Sequence, residues 1–382
     1  MVQESRGPTP TAADIIQFVD RDLDLFEAIN DGTESHLEGA NSLPQVEPLT
    51  KAWDIAYVRF SVPDLDLYER WVEDFGLKIV HRDEDSIYSR GIGGDGFCHV
   101  AHKGPAKFLG FAMMMSEEED LHILSEKIAG CSEVHNIPGI EGEISGGKRV
   151  SFIDPVCNLL IEAVYGREIE PLPPSRERIE YNYGDKIHYK RPANKLQDTS
   201  GNREVDGSNT VHPGPPDVLK IGHVVLTIPV GPHHKMMSFM METFGLLPSD
   251  SVYFESPKSA EGHSINPQMF ESLQKAGPSP LYEGTFAEGE ATYGCFFRCD
   301  RGEVPTDHHT FFILSLMDQK QAPEGQGINP QLSHASFEVS NLDDVWRGHM
   351  QLKTKAEYLN ERYEIAWGVG RHVLGSHIYD YW

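Results

Sequence analysis

Two histidines in the C-terminal half stand at matching places and could bind one metal ion. His223 lies in "GHVVLTI" and His334 in "LSHASFEV", each within an alternating apolar segment typical of a strand. Imidazole nitrogen is a common ligand of iron, zinc and copper. A lone histidine of this kind is usually a core residue, whereas two at equivalent positions favour a metal site.

An internal repeat supplies the strands that carry these histidines. The first half contains "WDIAYVRFSVPDLDLYERWVEDFGLKIV" and the second "LKIGHVVLTIPVGPHHKMMSFMMETFGLLPS", each with a strand, a helical stretch and Phe-Gly-Leu. A second pair of strand-helix segments begins at "KFLGFAMMM" and "QLSHASFEV". In this alignment Tyr57 and the region of Gly110 stand where the second half has His223 and His334. The repeat predicts four strand-helix modules, with both imidazoles in the second pair.

The composition is that of a globular protein, and it restricts the classes of molecule that the chain can bind. The chain has 382 residues, of which 39% are hydrophobic, so it can bury a large core. A formal net charge of -26 argues against binding nucleic acid or an anionic membrane surface, since both need clustered lysine and arginine. The first residues have no apolar leader region, and no apolar run approaches the ~20 residues of a membrane helix. Five scattered cysteines predict thiols rather than a disulfide framework, and we expect a cytoplasmic protein with a small-molecule partner.

The chain divides into four predicted parts. Residues 1–50 form a polar N-terminal extension, and 51–166 form a first, non-catalytic module pair. Residues 167–216 are rich in proline, glycine, asparagine and charged residues, a composition that predicts a linker. Residues 217–382 form the second module pair, which carries the metal-binding histidines. The predicted fold is α+β, with each module pair curling its sheet around a central space.

The end of the chain matches only part of its counterpart in the first half. The first half runs on as "GGKRVSFIDPVCNLLIEAVYG", two strands joined at an Asp-Pro turn. The second half ends in "VLGSHIYDYW", so we expect the last strand of its module to be truncated.

Four segments together resemble a known family. The chain resembles the catalytic half of the type I extradiol ring-cleavage dioxygenases in four segments, in this order: "GHVVLTI", "TDHHTFFIL", "LSHASFEV" and "WGVGRHVLGSHIYDYW". Within that family the sequence is most similar to catechol and trihydroxytoluene oxygenase-like proteins. These are two-domain members of the vicinal-oxygen-chelate (glyoxalase-like) superfamily, built from four βαβββ modules. The resemblance covers residues 51–382 and is only architectural before 167. It implies a homo-oligomer and an aromatic diol and O2 as substrates.

The resemblance also implies a metal and its ligands. The metal would be a non-haem Fe(II), or Mn(II), held by two histidines and one carboxylate. His223 and His334 match the two histidine ligands. The matching carboxylate would be a glutamate after an Asp-Pro turn, for which the sequence has no counterpart. Glu162 follows such a turn in the first half, but it belongs to the other module pair and we do not propose it as a stand-in.

Three further residues match catalytic positions of the family. His309, the second histidine of "DHH", matches the acid/base residue that takes a proton from the diol and returns it. It is chosen over His308 by this match alone, because adjacent strand residues point to opposite faces. His372 and Tyr381 match the pair that hydrogen-bonds substrate oxygen. His377 either lines the pocket or faces outward.

The predicted function is therefore Fe(II)-dependent extradiol cleavage of a catechol-type or trihydroxylated aromatic. One alternative is a glyoxalase-like metal isomerase, which leaves "GRH" and Tyr381 without a role. Another is a metal-free or inactive aromatic-binding paralogue or fragment of the same fold. Ring substituents are selected by pocket shape, so the sequence leaves the individual substrate open.

Overall fold

The structure is a computed structural model. It describes residues 47–137, 146–167, 170–175, 214–229, 232–254, 271–272, 275, 291–316, 331–358, 361 and 363–382. Most of the predicted N-terminal extension and most of the predicted linker lie outside these residues. No helix in the described part of the chain is both long and apolar enough to cross a bilayer.

The first half forms one mixed sheet with two helices packed on it. Its first module comprises β1 (Ala52–Val62), α1 (Leu65–Phe75), β2 (Lys78–Arg82), β3 (Ser86–Arg90) and β4 (His99–Lys103). Its second comprises β5 (Lys107–Met115), α2 (Glu118–Lys127), β6 (His135–Asn136), β7 (Lys148–Ile153) and β8 (Leu160–Tyr165). The eight strands lie in the order β2-β3-β4-β1-β5-β8-β7-β6.

The second half repeats this plan up to its last module. It begins with β9 (Val218–Pro229), α3 (Pro232–Phe244), β10 (Leu247–Phe254), β11 (Ala291–Arg298) and β12 (Phe311–Leu316). It continues with β13 (Gln331–Val339), α4 (Leu342–Tyr358), β14 (Trp367–Arg371) and β15 (Ile378–Tyr381). Five strands lie in the order β10-β11-β12-β9-β13, while β14 and β15 form a separate two-stranded hairpin. The predicted α+β fold class is confirmed.

The repeated Phe-Gly-Leu has a structural reason in both halves. Gly76 ends α1 with φ of 106°, and Gly245 follows α3 with φ of 65°; both are left-handed conformations that favour glycine. The leucine after each glycine, Leu77 or Leu246, is buried. The same short motif thus ends the helix and places a buried leucine in the core.

Strand register confirms the predicted alignment of the repeat. The first strand of each half pairs antiparallel with the first strand of that half's second module. The separations between partners are conserved, so Tyr57 corresponds to His223 and Gly110 to His334. The matching pairs are Arg59–Gly110 with Val225–His334, and Tyr57–Ala112 with His223–Ser336.

The two halves differ beside this second position. In the first half β8 lies parallel to β5, and a Cβ on Gly110 would collide with the carbonyl oxygen of Leu160. In the second half β13 pairs with β9 alone among the described strands. His334 therefore occupies a place where the first half has no room for a side chain.

Both halves contribute to one apolar core. Phe111 on β5 and Phe311 on β12 are fully buried, with ring centroids 5.0 Å apart. Burying each ring stabilises the fold by about 1.5–3 kcal/mol. Asp54 of β1 also accepts a hydrogen bond of 2.6 Å from Lys220 of β9. These contacts hold β9, and hence His223, against the first half.

Candidate metal centre

The imidazoles of His223 and His334 converge. Their Nε2 atoms lie 3.2 Å apart, with ring planes at 74°. Two nitrogens each about 2.1 Å from one ion would be separated by this distance at a ligand angle of about 100°. That angle lies between tetrahedral and octahedral values, so the pair fits two adjacent positions on one metal ion.

Burial keeps both rings in the form that binds metals. Burial lowers the pKa of His334 to about 4. Burial and the neighbouring histidines, His309 first, hold the pKa of His223 well below its usual range. Neutral imidazole is the ligating form, so at neutral pH neither ring loses a proton when it binds a metal ion.

His309 packs directly against the His223–His334 pair. Its ring centroid is 4.2 Å from that of His223, and the residue is only 6% exposed. Burial, with His308 next, lowers the pKa of His309 to about 3. An imidazole at this place is neutral and has one nitrogen able to accept a proton.

His308 also lies in the cluster, and the predicted strand alternation across these two residues is wrong. Because β12 begins at Phe311, the "DHH" segment precedes the strand and both rings turn to the same side. The Nδ1 atoms of His308 and His309 are 2.9 Å apart. His308 Nε2 lies 3.3 Å from Asp250 Oδ2 on β10, so His308 links His309 to a carboxylate.

The β14–β15 hairpin brings a tyrosine and a histidine to the same cluster. Tyr381 Oη lies 2.9 Å from His372 Nε2 and 3.4 Å from His334 Nε2. Burial raises the pKa of Tyr381 to about 12, so its hydroxyl is protonated at neutral pH. The hairpin thus places a neutral hydrogen-bond donor beside a candidate ligand.

His377 faces the cluster rather than solvent. Its ring centroid is 5.4 Å from that of His309 and 6.4 Å from that of His223. Left-handed backbone at Gly375 and Ser376, with φ of 72° and 55°, turns the loop so that His377 carbonyl oxygen accepts a hydrogen bond from His372 nitrogen. Sequence reasoning left this orientation open, because it depends on that turn.

Solved structures match this architecture over most of the chain. A Mn(II)-bound glyoxalase from Novosphingobium aromaticivorans is 20% identical, with a TM-score of 0.52 over 87% of this chain and 78% of that one. Homoprotocatechuate 2,3-dioxygenase from Brevibacterium fuscum, in complex with 3,4-dihydroxyphenylacetate, is 15% identical, with a TM-score of 0.52 over 88% and 78%. The 2,3-dioxygenase LapB from Pseudomonas sp. KL28 is 15% identical, with a TM-score of 0.51 over 87% and 89%.

The chain has the glyoxalase/extradiol dioxygenase fold. This is the predicted fold, and the identities of 15–20% carry the likeness no further than the fold. No family model and no curated protein matches the sequence.

Asp250 and Glu162 each contact side chains other than His223 and His334. Within the described residues, no group of three histidine, cysteine, aspartate or glutamate side chains is assembled to hold a metal ion. Asp250 contacts His308. Glu162, on the first-half strand that lies opposite Ala112, binds Arg59. In the second half no described strand lies beside β13 as β8 lies beside β5.

Two residues of the site escaped sequence reasoning. Phe296 on β11 stacks on Phe312 with centroids 3.7 Å apart and lies 4.8 Å from His309, forming an apolar wall. Asp250 on β10 reaches the site through His308. An aromatic residue or an aspartate in a strand carries no local signal, because only the pairing of β10, β11 and β12 brings them to the histidines.

Proposed function

We propose that this chain is a metal-dependent dioxygenase that opens the ring of an aromatic diol with O2, cleaving beside rather than between the two hydroxyls. The metal proposed is Fe(II), with Mn(II) as the alternative. The observation that carries the proposal is the 3.2 Å separation of His223 Nε2 and His334 Nε2, with Tyr381 Oη 3.4 Å from the same His334 nitrogen.

His223 and His334 would hold the metal through Nε2. When bound, the metal would bring the diol and O2 together and pass electron density between them. Both imidazoles are neutral, so the site would keep the positive charge that favours a deprotonated diol. Phe296 and Phe312 would exclude water from one side of the ring.

His309 would take the proton that the diol loses on binding. Its pKa of about 3 means that it is unprotonated beforehand. A diolate anion beside it would raise that pKa, since an opposite charge favours the protonated ring. The same proton can then be returned to an oxygen of the opening ring, so His309 ends as it began.

Tyr381 and His372 would act on a substrate oxygen. With a metal on His334, the Tyr381 hydroxyl loses that nitrogen as an acceptor and is free to donate to substrate. His372 Nε2, 2.9 Å from the hydroxyl, would orient it. A donor fixed where negative charge develops stabilises the transition state more than the ground state.

The direct test is anaerobic loading of the purified protein with Fe(II), followed by catechol and then O2. The expected result is a yellow ring-opened acid with consumption of one O2 per catechol. His223→Ala and His334→Ala should give neither product nor bound iron. His122→Ala, which removes an exposed histidine of α2, is the matched control and should retain activity.

A second candidate is an aromatic-binding protein of the same fold without ring cleavage. The observation that favours it is that no described carboxylate joins His223 and His334. Such a protein would bind catechol but leave O2 unconsumed and the ring intact. A metal-dependent isomerase would likewise leave O2 unconsumed but would convert its substrate, so O2 uptake separates the dioxygenase from both.

A further inference from the structure

The first half has a strand, β8, for which the second half has no described counterpart. β8 lies between β5 and β7 and pairs with both, parallel to β5 and antiparallel to β7. In the second half β13 takes the place of β5 and β15 that of β7, and the described residues include no strand between them. We call this space, bounded by β13 and β15, the strand slot.

The helices place β13 and β15 on either side of the slot. α2 packs on β5, β8 and β7, and α4 packs on β13 and β15 in the same way. The Tyr381 side chain on β15 reaches His334 on β13, with Oη 3.4 Å from Nε2, although the two strands are not paired. A helix therefore covers one face of the slot, as α2 covers one face of β8.

Residue burial differs between the halves as a missing strand predicts. Residues 111–113 of β5 are at most 1% exposed, whereas residues 332–339 of β13 are all partly or fully exposed. Val150 and Phe152 of β7 are at most 2% exposed, whereas none of residues 378–381 of β15 is fully buried. The strands that β8 covers in the first half thus have partly open counterparts in the second.

The face of α4 that borders the slot is partly open too. Each helix follows a serine, Ser116 or Ser340, and the fifth residue after it is apolar. In α2 that residue is Leu121, which is 0% exposed and lies in one core cluster with Ile161 of β8. In α4 it is Val345, which is only half-buried. An added strand would cover Val345 as β8 helps to cover Leu121.

Both strands also present a backbone edge to the slot. Among the strands that the structure describes, β13 pairs with β9 alone and β15 with β14 alone. An open edge is a template on which another extended chain can pair. A strand added here could pair on both sides, as β8 does, and strand addition is a general way in which proteins bind extended peptides.

We propose that the strand slot binds an extended segment of a partner protein, parallel to β13 and antiparallel to β15. The pattern of β8 indicates the chemistry of this segment. Ile161 and Ala163 are buried with the apolar face of α2, so the matching residues of the partner would be apolar and face α4. The inference does not depend on the proposed dioxygenase activity.

The residue between them would be polar and uncharged. In β8 this residue is Glu162, whose charge is balanced by Arg59. The second half has Val225 at the place of Arg59, so a carboxylate there would lack that counter-ion. The Tyr381 hydroxyl lies on this side of the slot and can donate to an amide oxygen.

The test uses a fluorescent peptide that copies residues 158–165 with Glu162→Gln, and with one lysine added at each end for solubility. Titration with the full-length, metal-free protein should raise the fluorescence anisotropy of the peptide to saturation. A scrambled peptide of the same composition should bind at least about tenfold more weakly, because its apolar residues no longer alternate. Bound peptide should slow amide hydrogen exchange in β13 and β15 at least about tenfold and leave β8 unchanged.

Val345→Lys should weaken peptide binding at least about tenfold, because it puts a charge on the α4 face that the peptide covers. Leu67→Lys, the same kind of change at an exposed position of α1, should bind as wild type does. Where Val345→Lys fails to fold, Ile161→Lys in the peptide tests the same contact against the wild-type protein.

Three results would overturn the proposal. One is the absence of saturable binding, and another is equal binding of the ordered and scrambled peptides. The third is slow amide exchange in β13 and β15 before any peptide is added, since the slot would then already be filled by this chain or by a second copy of it.

Discussion

The Nδ1 atoms of His308 and His309 lie 2.9 Å apart, and Asp250 determines which of them donates. Asp250 Oδ2 accepts a hydrogen bond from the Nε2–H group of His308, at 3.3 Å. A neutral His308 then has only its Nδ1 lone pair to offer, so His309 Nδ1 must carry the hydrogen. His309 Nε2 is left as the acceptor, which is the form required of a base beside His223.

Removing the Asp250 carboxylate should leave the tautomers of His308 and His309 unfixed. In Asp250→Ala, His308 no longer has a fixed tautomer and His309 can place its hydrogen on the wrong nitrogen. We expect kcat for catechol cleavage to fall about tenfold, as for partners that orient a metal-site histidine. KM and iron content should stay unchanged. Asp66→Ala, an exposed carboxylate of α1, is the control, and an equal loss in both variants would contradict the relay.

The Tyr381 hydroxyl should matter for turnover and not for metal binding. Tyr381→Phe removes the donor 3.4 Å from His334 Nε2 but keeps the ring packing of the hairpin. We expect kcat to fall about 100-fold, the effect of deleting one donor to a developing charge. Tyr379→Phe makes the same chemical change two residues earlier on β15. Steady-state kinetics measure kcat for both variants. An equal loss of kcat in the two would mean that the hairpin fold, and not the Tyr381 hydroxyl, is responsible.

A polar contact on α4 holds the hairpin in place. His349 Nδ1 lies 3.0 Å from Asp380 Oδ1, and Trp382 Nε1 donates to Asp380 Oδ2 at 2.7 Å. Asp380→Ala removes both bonds and should increase amide hydrogen exchange in β14 and β15 by about tenfold. Iron content should be retained, because His223 and His334 lie on β9 and β13. Unchanged exchange in the hairpin would show that other contacts secure it.

The buried His99 should make the stability of the folded protein depend on pH. The residue is 2% exposed, its Nε2 lies 2.9 Å from Tyr68 Oη, and burial lowers its pKa to about 3. The unfolded chain takes up a proton near pH 6.5, whereas the folded chain does not, so stability falls as the pH falls from about 6.5 towards 3.

Replacing His99 by phenylalanine removes this one proton. The slope of unfolding free energy against pH should become shallower than that of wild type by about 1.4 kcal/mol per pH unit between pH 4 and 6. Urea denaturation at several pH values measures both slopes. Parallel slopes for the two proteins would mean that His99 takes up its proton in the folded state as readily as in the unfolded one.

The repeat made much of the fold, and the matching places of two histidines, predictable. Alternating strands and the glycine that ends each first helix are local features, and aligning the halves assigned His223 and His334 to corresponding places. The division into four parts stays a prediction. The orientation of His308 depends on where β12 begins, and that of His377 on left-handed backbone at Ser376. Phe296 and Asp250 reach the site only through tertiary pairing, which no local pattern reports.

Whether His223 and His334 hold one metal ion can be seen by anomalous X-ray scattering from crystals loaded anaerobically with Fe(II). We expect one iron peak about 2.1 Å from the Nε2 atoms of both residues, and no such peak in His223→Ala. Iron bound away from this pair, or the two rings turned apart with no peak between them, would contradict it.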